Sequence, residues 1–300
     1  MDWINTALLS AAIFGTVNIL DSHLLTKRMP GLRSFLLPVA IAHVLVGLIL
    51  SYRFPLPADI SPFLLFATIG AGTLRTASVT IMLFILKREE VSRVVPLVYT
   101  YPIFVAIMAI PLLGESLYFL GWLAIFIVVV GAIIISSQQS ATSSANRLGK
   151  SFFLLFGASL LMAMADITSK FALNYVSFWS LFWVNALIMS IVFFAVSLRP
   201  AVIKRIINMK QKTRAFAFMG LNEILAPGAI LLSLRAIELG PVSLVATITS
   251  TRPVFVVIFA LILSRIAPSF LDYRPGRGGP ALRLIATAMI VGGITIIHLV

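Results

Sequence analysis

The chain contains no cysteine. That excludes disulfides, thiolate chemistry and any metal site built on sulfur. Acidic residues are scarce, 10 Asp and Glu against 23 Lys and Arg, and the histidines number three, His23, His43 and His298. With so few ligands a zinc site is not expected. No Gly-x-x-x-x-Gly-Lys-Ser/Thr run occurs, so the chain has no phosphate-binding loop for ATP hydrolysis. His-Glu-x-x-His, Gly-x-Ser-x-Gly and Asp-rich pairs are also missing. The chain therefore reads as a non-enzyme with no cofactor and no metal.

What fills the sequence instead is apolar. Hydrophobic residues make up 60% of 300 positions and charged residues 11%, with a mean hydropathy of +1.07. Apolar runs near 20 residues recur from end to end, the length that crosses a hydrocarbon core of about 30 Å. The expectation is an all-α polytopic membrane protein of ten transmembrane helices. The spans lie at about 3–24, 35–51, 62–86, 92–112, 117–136, 151–174, 178–197, 215–237, 242–264 and 281–299. The N-terminus, MDWINTALLS, has neither a basic leader region nor a clear cleavage site and reads as the first span.

The net charge of +13 does not point to nucleic acid, because the basic residues sit in short connections between apolar runs. Of the 23 Lys and Arg, 18 fall on one side of the ten-span layout. Arg53 and Arg235 fall on the other side, and Arg75, Lys170 and Arg252 lie inside spans. Such a bias places both termini outside and the basic connections in the cytoplasm. The Arg199–Arg214 connection mixes Val202, Ile203, Ile206 and Ile207 with six basic residues. It reads as a short surface helix against anionic lipid, or as a plain topology-setting loop. Pro268–Pro280 reads as a loop rich in Gly, Pro and Arg.

One stretch comes back. Val91–Leu112 reads VSRVVPLVYTYPIFVAIMAIPL, and Val242–Leu263 reads VSLVATITSTRPVFVVIFALIL. Aligning Pro102 with Pro253 places Val91 on Val242, Ser92 on Ser243, Thr100 on Thr251 and Phe104 on Phe255. Each copy carries a polar patch before a proline. A proline inside a helix would leave the carbonyls of Val98 and Thr249 without their usual partners. Two broken helices in corresponding places of a membrane protein point to a central transport site. At an offset of 148, Asn18 falls on Asp166 and Arg75 on Glu223. The expected units are a first five-helix repeat at 1–137, a polar linker at 138–150 and a second repeat at 151–300. An odd number of spans per unit makes the second repeat inverted.

Ten spans in about 300 residues, the two prolined spans and the Leu113-Gly114-Glu115 ending before a Gly-punctuated fifth span resemble the EamA-type transporters of the drug/metabolite transporter superfamily. The resemblance covers nearly the whole chain. It implies secondary transport by alternating access through a central cavity, with spans three, four, eight and nine near the substrate. It implies substrates that range over amino acids, nucleosides, sugars, other metabolites and toxic compounds. The second half departs from the pattern, with Arg265-Ile266 where Leu-Gly-Glu would stand. The family also resembles proteins with cytoplasmic termini, against the charge count. A flippase or scramblase of the same fold is the alternative function.

Charged groups inside spans are expensive unless paired or wetted, and they mark function by default. Arg75, Glu223 and Arg252 lie nearest mid-span. As repeat mates, Arg75 and Glu223 either form a structural pair, or an arginine meets a substrate carboxylate or phosphate while Glu223 carries a proton. Asp166 and Lys170, four apart on one face, are expected to neutralise each other, unless Lys170 snorkels. Tyr99, Tyr101 and Trp183 are candidates for cavity lining or for packing, and His43 for a packed histidine or a relay. Asn18 joins the substrate-binding candidates, while Asp21 reads as interfacial. Ala11/Gly15 and Ala288/Gly292 are small-residue pairs for close helix packing. The expected setting is a prokaryotic inner membrane, with a small-molecule substrate and a monomeric or homodimeric state.

Overall fold

A computed structural model of the chain describes residues 2–86, 98–137, 148–209, 211–266 and 280–299. Residues 87–97, which include Val91 and Ser92 of the repeated stretch, lie outside the described residues, as do most of the linker and nearly all of the Pro268–Pro280 loop. Among the described residues no strand occurs. In hydrocarbon each backbone polar group must be satisfied within its own segment, and helices do this.

Helix α1 spans Trp3–His23 and runs on through a π turn at Leu24–Arg28. Asp2 starts it by accepting from the Asn5 N–H at 2.8 Å. Helices α2 (Leu32–Arg53) and α3 (Pro62–Leu86) follow. Helix α4 is Tyr101–Leu113, closed by Gly114 at φ 69°, where a glycine meets no Cβ penalty. Then come α5 (Phe119–Ser137), α6 (Leu148–Leu173) and α7 (Phe178–Ser197). A short α8 (Pro200–Ile207) precedes α9 (Lys212–Leu239). Helices α10 (Val242–Thr249), α11 (Arg252–Ile266) and α12 (Pro280–Leu299) complete the order. The last residues of the expected linker are already helical, since α6 begins at Leu148. Seven helical segments are long and apolar enough to cross a membrane, with α11 continuing from α10 in one of them. Tyr101–Leu113, Phe119–Ile135 and Leu284–Leu299 are shorter apolar helices.

Large apolar side chains such as Leu48, Phe66, Phe126, Ile191 and Ile224 point outward, while Ser10, Ser190, Ser243 and many alanines are buried. That is the arrangement of a protein solvated by lipid tails, where small residues let helices approach. The largest interfaces are α3 on α6, α2 on α7, α5 on α12 and α1 on α9. Each joins the first half to the second. Small residues set the spacing. A Cβ on Gly15 would meet Phe255 Cβ at 2.7 Å, one on Gly131 would meet Ile290 at 2.7 Å, and one on Gly293 would meet Val128 at 2.5 Å. Gly292 meets nothing within 4 Å, so Gly293 takes the role expected of its neighbour.

Trp3 packs on Gly240. The N-terminus, the start of α3, the end of α4 and the end of α9 therefore share one face, here the terminal face. The opposite face, the basic face, carries the π turn with Lys27 and Arg28 and α8 with Lys204 and Arg205.

Candidate functional site

Neither proline sits inside a continuous helix. Pro102 and Pro253 each occupy the second position of α4 and α11, where the missing N–H costs no bond. The polar patches before them are turns at Tyr99–Thr100 and Ser250–Thr251. Local hydroxyls cap the carbonyls at the second break. Thr247 donates to Ser243 O at 2.8 Å, Ser250 to Thr247 O at 2.7 Å and Thr251 to Ile248 O at 2.7 Å. Ser and Thr hydroxyls thus back the carbonyls of the last turns before the break.

The two breaks meet. Tyr101 Oη lies 2.8 Å from Thr249 Oγ1 and donates to Ala246 O at 3.2 Å. The Ala246 carbonyl, not that of Thr249, takes the bond across the halves. Arg75, Asp166 and Arg252 lie close enough to act electrostatically on this phenol. Arg75 donates from Nη2 to Asp166 Oδ1 at 2.7 Å, with side chains 15% and 7% exposed. Arg252 forms no ion pair among the described residues. Its guanidinium lies 3.8 Å from the Phe14 ring centroid, and its Nε is buried without a hydrogen-bond partner. Arg75 is thus paired with Asp166, whereas Arg252 has no ion-pair partner among the described residues.

Several expectations change. Arg75 and Glu223 do not pair, because α3 packs on α6 whereas α9 packs on α1. Glu223 instead faces His43, with Nδ1–Oε2 at 3.4 Å. Asp166 is neutralised by Arg75, not by Lys170. Lys170 donates to the carbonyls of Ile237, Glu238 and Gly240 at 2.8, 3.1 and 2.9 Å. It caps the C-terminus of α9, where a cation suits the helix dipole. Tyr99 packs on the cluster of Ala132, Ile135, Val254 and Ile290, within electrostatic reach of Arg252. Trp183 anchors α2, its indole N–H donating to Phe54 O at 2.9 Å. Asn18 is exposed, and its side chain makes no hydrogen bond among the described residues.

Three contributors were missed. Glu115 accepts from the Val242 N–H at 2.5 Å and from the Ser243 N–H at 3.3 Å, and Ser243 Oγ donates to it at 2.5 Å. Its carboxylate caps the N-terminus of α10 from the connection that follows α4. Its position in the Leu-Gly-Glu motif was visible, but its partner was not. Phe14 was one apolar residue among many. Asp21, read as interfacial, accepts from Asn222 Nδ2 at 3.0 Å. On the basic face, a concavity of about 500 Å³ is lined by Pro30, Ala201, Lys204, Arg205, Asn208 and Met209.

These features define a polytopic helical membrane protein with buried charge where the turn before α4 meets the break between α10 and α11. The model of the EamA-like transporter family matches residues 1–137 and 149–274. The chain belongs to that family, within the drug/metabolite transporter superfamily, and is an integral membrane protein of the transporter class. A solved protein crystal structure, one of 28 matching chains, shares the fold. Its TM-score is 0.71 at 15% identity, with 99% of this chain and 96% of that one covered. No curated protein matches the chain.

Proposed function

We propose that this protein is a secondary active transporter that moves a small polar metabolite, an amino acid or related organic solute, by alternating access through a central cavity. In this reading ten spans form two inverted five-helix repeats in a prokaryotic inner membrane, with both termini outside. The helix pairing supports the repeat, because α3 on α6 and α1 on α9 are corresponding interfaces. The basic concavity beside α8 supports an anionic lipid at Lys204 and Arg205.

One observation carries the proposal. Arg252 is a mid-span guanidinium with no carboxylate partner among the described residues and a buried, unpartnered Nε. A charge in that position is costly unless something meets it. A carboxylate or phosphate of the solute suits its planar fork. Asp166, within electrostatic reach of Arg252, is the natural partner for a solute ammonium. The flippase reading is not favoured.

The test is a thermal-shift screen of the detergent-purified protein against a metabolite panel. A ligand of the folded state at 100 times its Kd stabilises by about 2.7 kcal/mol. Hits that share a carboxylate or phosphate and vanish in Arg252→Ala support the reading. Stabilisation by phospholipid alone would overturn it.

A further inference from the structure

A second polar cluster lies apart from the arginines, where α1, α2 and α9 converge. Asp21 comes from α1, Asn222 and Glu223 from α9, and His43 from α2. Asn222 is 2% exposed and donates Nδ2 to Asp21 Oδ1 at 3.0 Å, while its own Oδ1 is buried with no partner. The Glu223 side chain is 10% exposed, and its Oε2 is buried with no hydrogen-bond partner. His43 Nδ1 is committed to Val39 O at 2.9 Å and stands 3.4 Å from Glu223 Oε2. Asp21 and Glu223 lie close enough to act on each other electrostatically.

We propose that Asp21 and Glu223 form a proton-binding pair, held by Asn222 beside His43, that couples proton movement to transport. The argument is one of unmet charge. Two ionised carboxylates this near each other in an apolar interior repel, and each also loses its water. Compensation would need a cation or several donors. Among the described residues no lysine or arginine forms an ion pair with either acid. The surrounding elements supply little. From the turn after α1 come His23, Lys27 and Arg28, of which Arg28 is engaged with His23 and Gln211. From α2 comes His43, whose Nδ1 hydrogen is already given to Val39. Helices α7 and α10 carry no titratable residue, and the α11 arginine nearest mid-span, Arg252, lies over Phe14. The mid-span groups of α6, Asp166 and Lys170, are held by Arg75 and by the α9 carbonyls. A proton bound by either carboxyl removes one of the two charges and supplies a donor.

The pair is also placed to report. Phe14 and Asp21 stand seven residues apart on one face of α1, about 10 Å along its axis. Phe14 packs under Arg252, and Asp21 joins α1 to α9. A change of charge at the pair alters the α1–α9 contact, and the same rigid helix carries the aromatic that underlies the proposed solute-binding arginine. The coupling role rests on the transporter reading, but the proton site itself does not.

Infrared spectroscopy of the full-length protein in lipid nanodiscs, titrated with protons alone, tests the site. The expected result is a water-shielded protonated-carboxyl C=O band that disappears as the pH rises. Asp21→Asn and Glu223→Gln should each abolish the band or move its midpoint by at least one pH unit, a tenfold change in proton affinity. Asp166→Asn should leave it in place. If Glu223→Gln fails to fold, Glu223→Asp keeps a carboxyl and should shift the midpoint without removing the band. No such band, or one unmoved by every folded variant at these positions, would overturn the site. A titrating band with no solute bound in the thermal-shift screen would leave the site standing and sink the transporter reading. A bound solute with no band would do the reverse.

Discussion

The Arg75 guanidinium donates to Asp166 Oδ1 at 2.7 Å between α3 and α6, while the Nε of the same arginine is buried without a partner. The pair therefore neutralises charge without using all of its donors. Removing one member strands the other in an apolar interior, which costs about 3–5 kcal/mol for a buried pair. Asp166→Asn should lower the thermal midpoint in detergent sharply. The double replacement Arg75→Met/Asp166→Leu should recover most of the loss. A double-variant loss equal to the sum of the two single losses would show that the pair is not coupled.

Arg252 should behave differently. Its contact with Phe14 contributes about 0.5–2 kcal/mol, so Arg252→Ala is a mild change to the unliganded protein. The large effect should be on binding, with the solute-induced shift abolished in Arg252→Ala and only partly kept in Arg252→Lys, which lacks the bidentate fork. Thermal melts with and without the solute separate the two effects.

Gly72 and Gly220 hold corresponding places in the two halves at the 148-residue offset. A Cβ at Gly72 would meet Asn185 Oδ1 at 2.6 Å and Asn185 Cα at 3.2 Å, whereas at Gly220 nothing lies within 4 Å. Gly72→Ala should destabilise by about 1–3 kcal/mol through overpacking. Gly220→Ala should be neutral or stabilise by up to about 1 kcal/mol through helix propensity. Thermal melts of the two variants check the asymmetry.

The absence of cysteine makes single-cysteine labelling clean. The charge bias places the α2–α3 connection outside and α8 inside. Asp59→Cys should react with an impermeant maleimide in intact cells, and Asn208→Cys should react only after lysis. Both positions are exposed. The opposite pattern would reverse the proposed topology.

Glu115→Ala should cost about 0.5–2 kcal/mol, the worth of a helix cap. It should also raise labelling of a cysteine placed at the fully buried Val245. Unchanged labelling would mean that the cap does not hold α10 in place.

Much of the fold was legible because hydropathy fixes where a chain must be helical in lipid. The expected span at 62–86 ends where α3 does, and that at 178–197 matches α7. The interruptions just before Pro102 and Pro253 were legible in the sequence, though these prolines open α4 and α11 instead of kinking a helix. Partner choice was not legible. Arg75 and Glu223 match along the chain, yet a twofold relation sends matching residues to opposite sides of the molecule. Lys170 is one turn from Asp166, and its stem instead reaches the end of α9. Side-chain direction depends on each helix's rotation about its axis, which spacing within one helix does not set. Asp21 looked interfacial because its depth was counted along α1 alone, without the Asn222 that meets it.

Every residue of α10 is buried, and its first turn is gripped by Glu115. Helix α11, beyond the break, buries Pro253, Val254 and Ala260 and leaves most of its length at the periphery. The break thus joins a fully buried, anchored segment to a more exposed one, and Arg252 stands at the junction of the two.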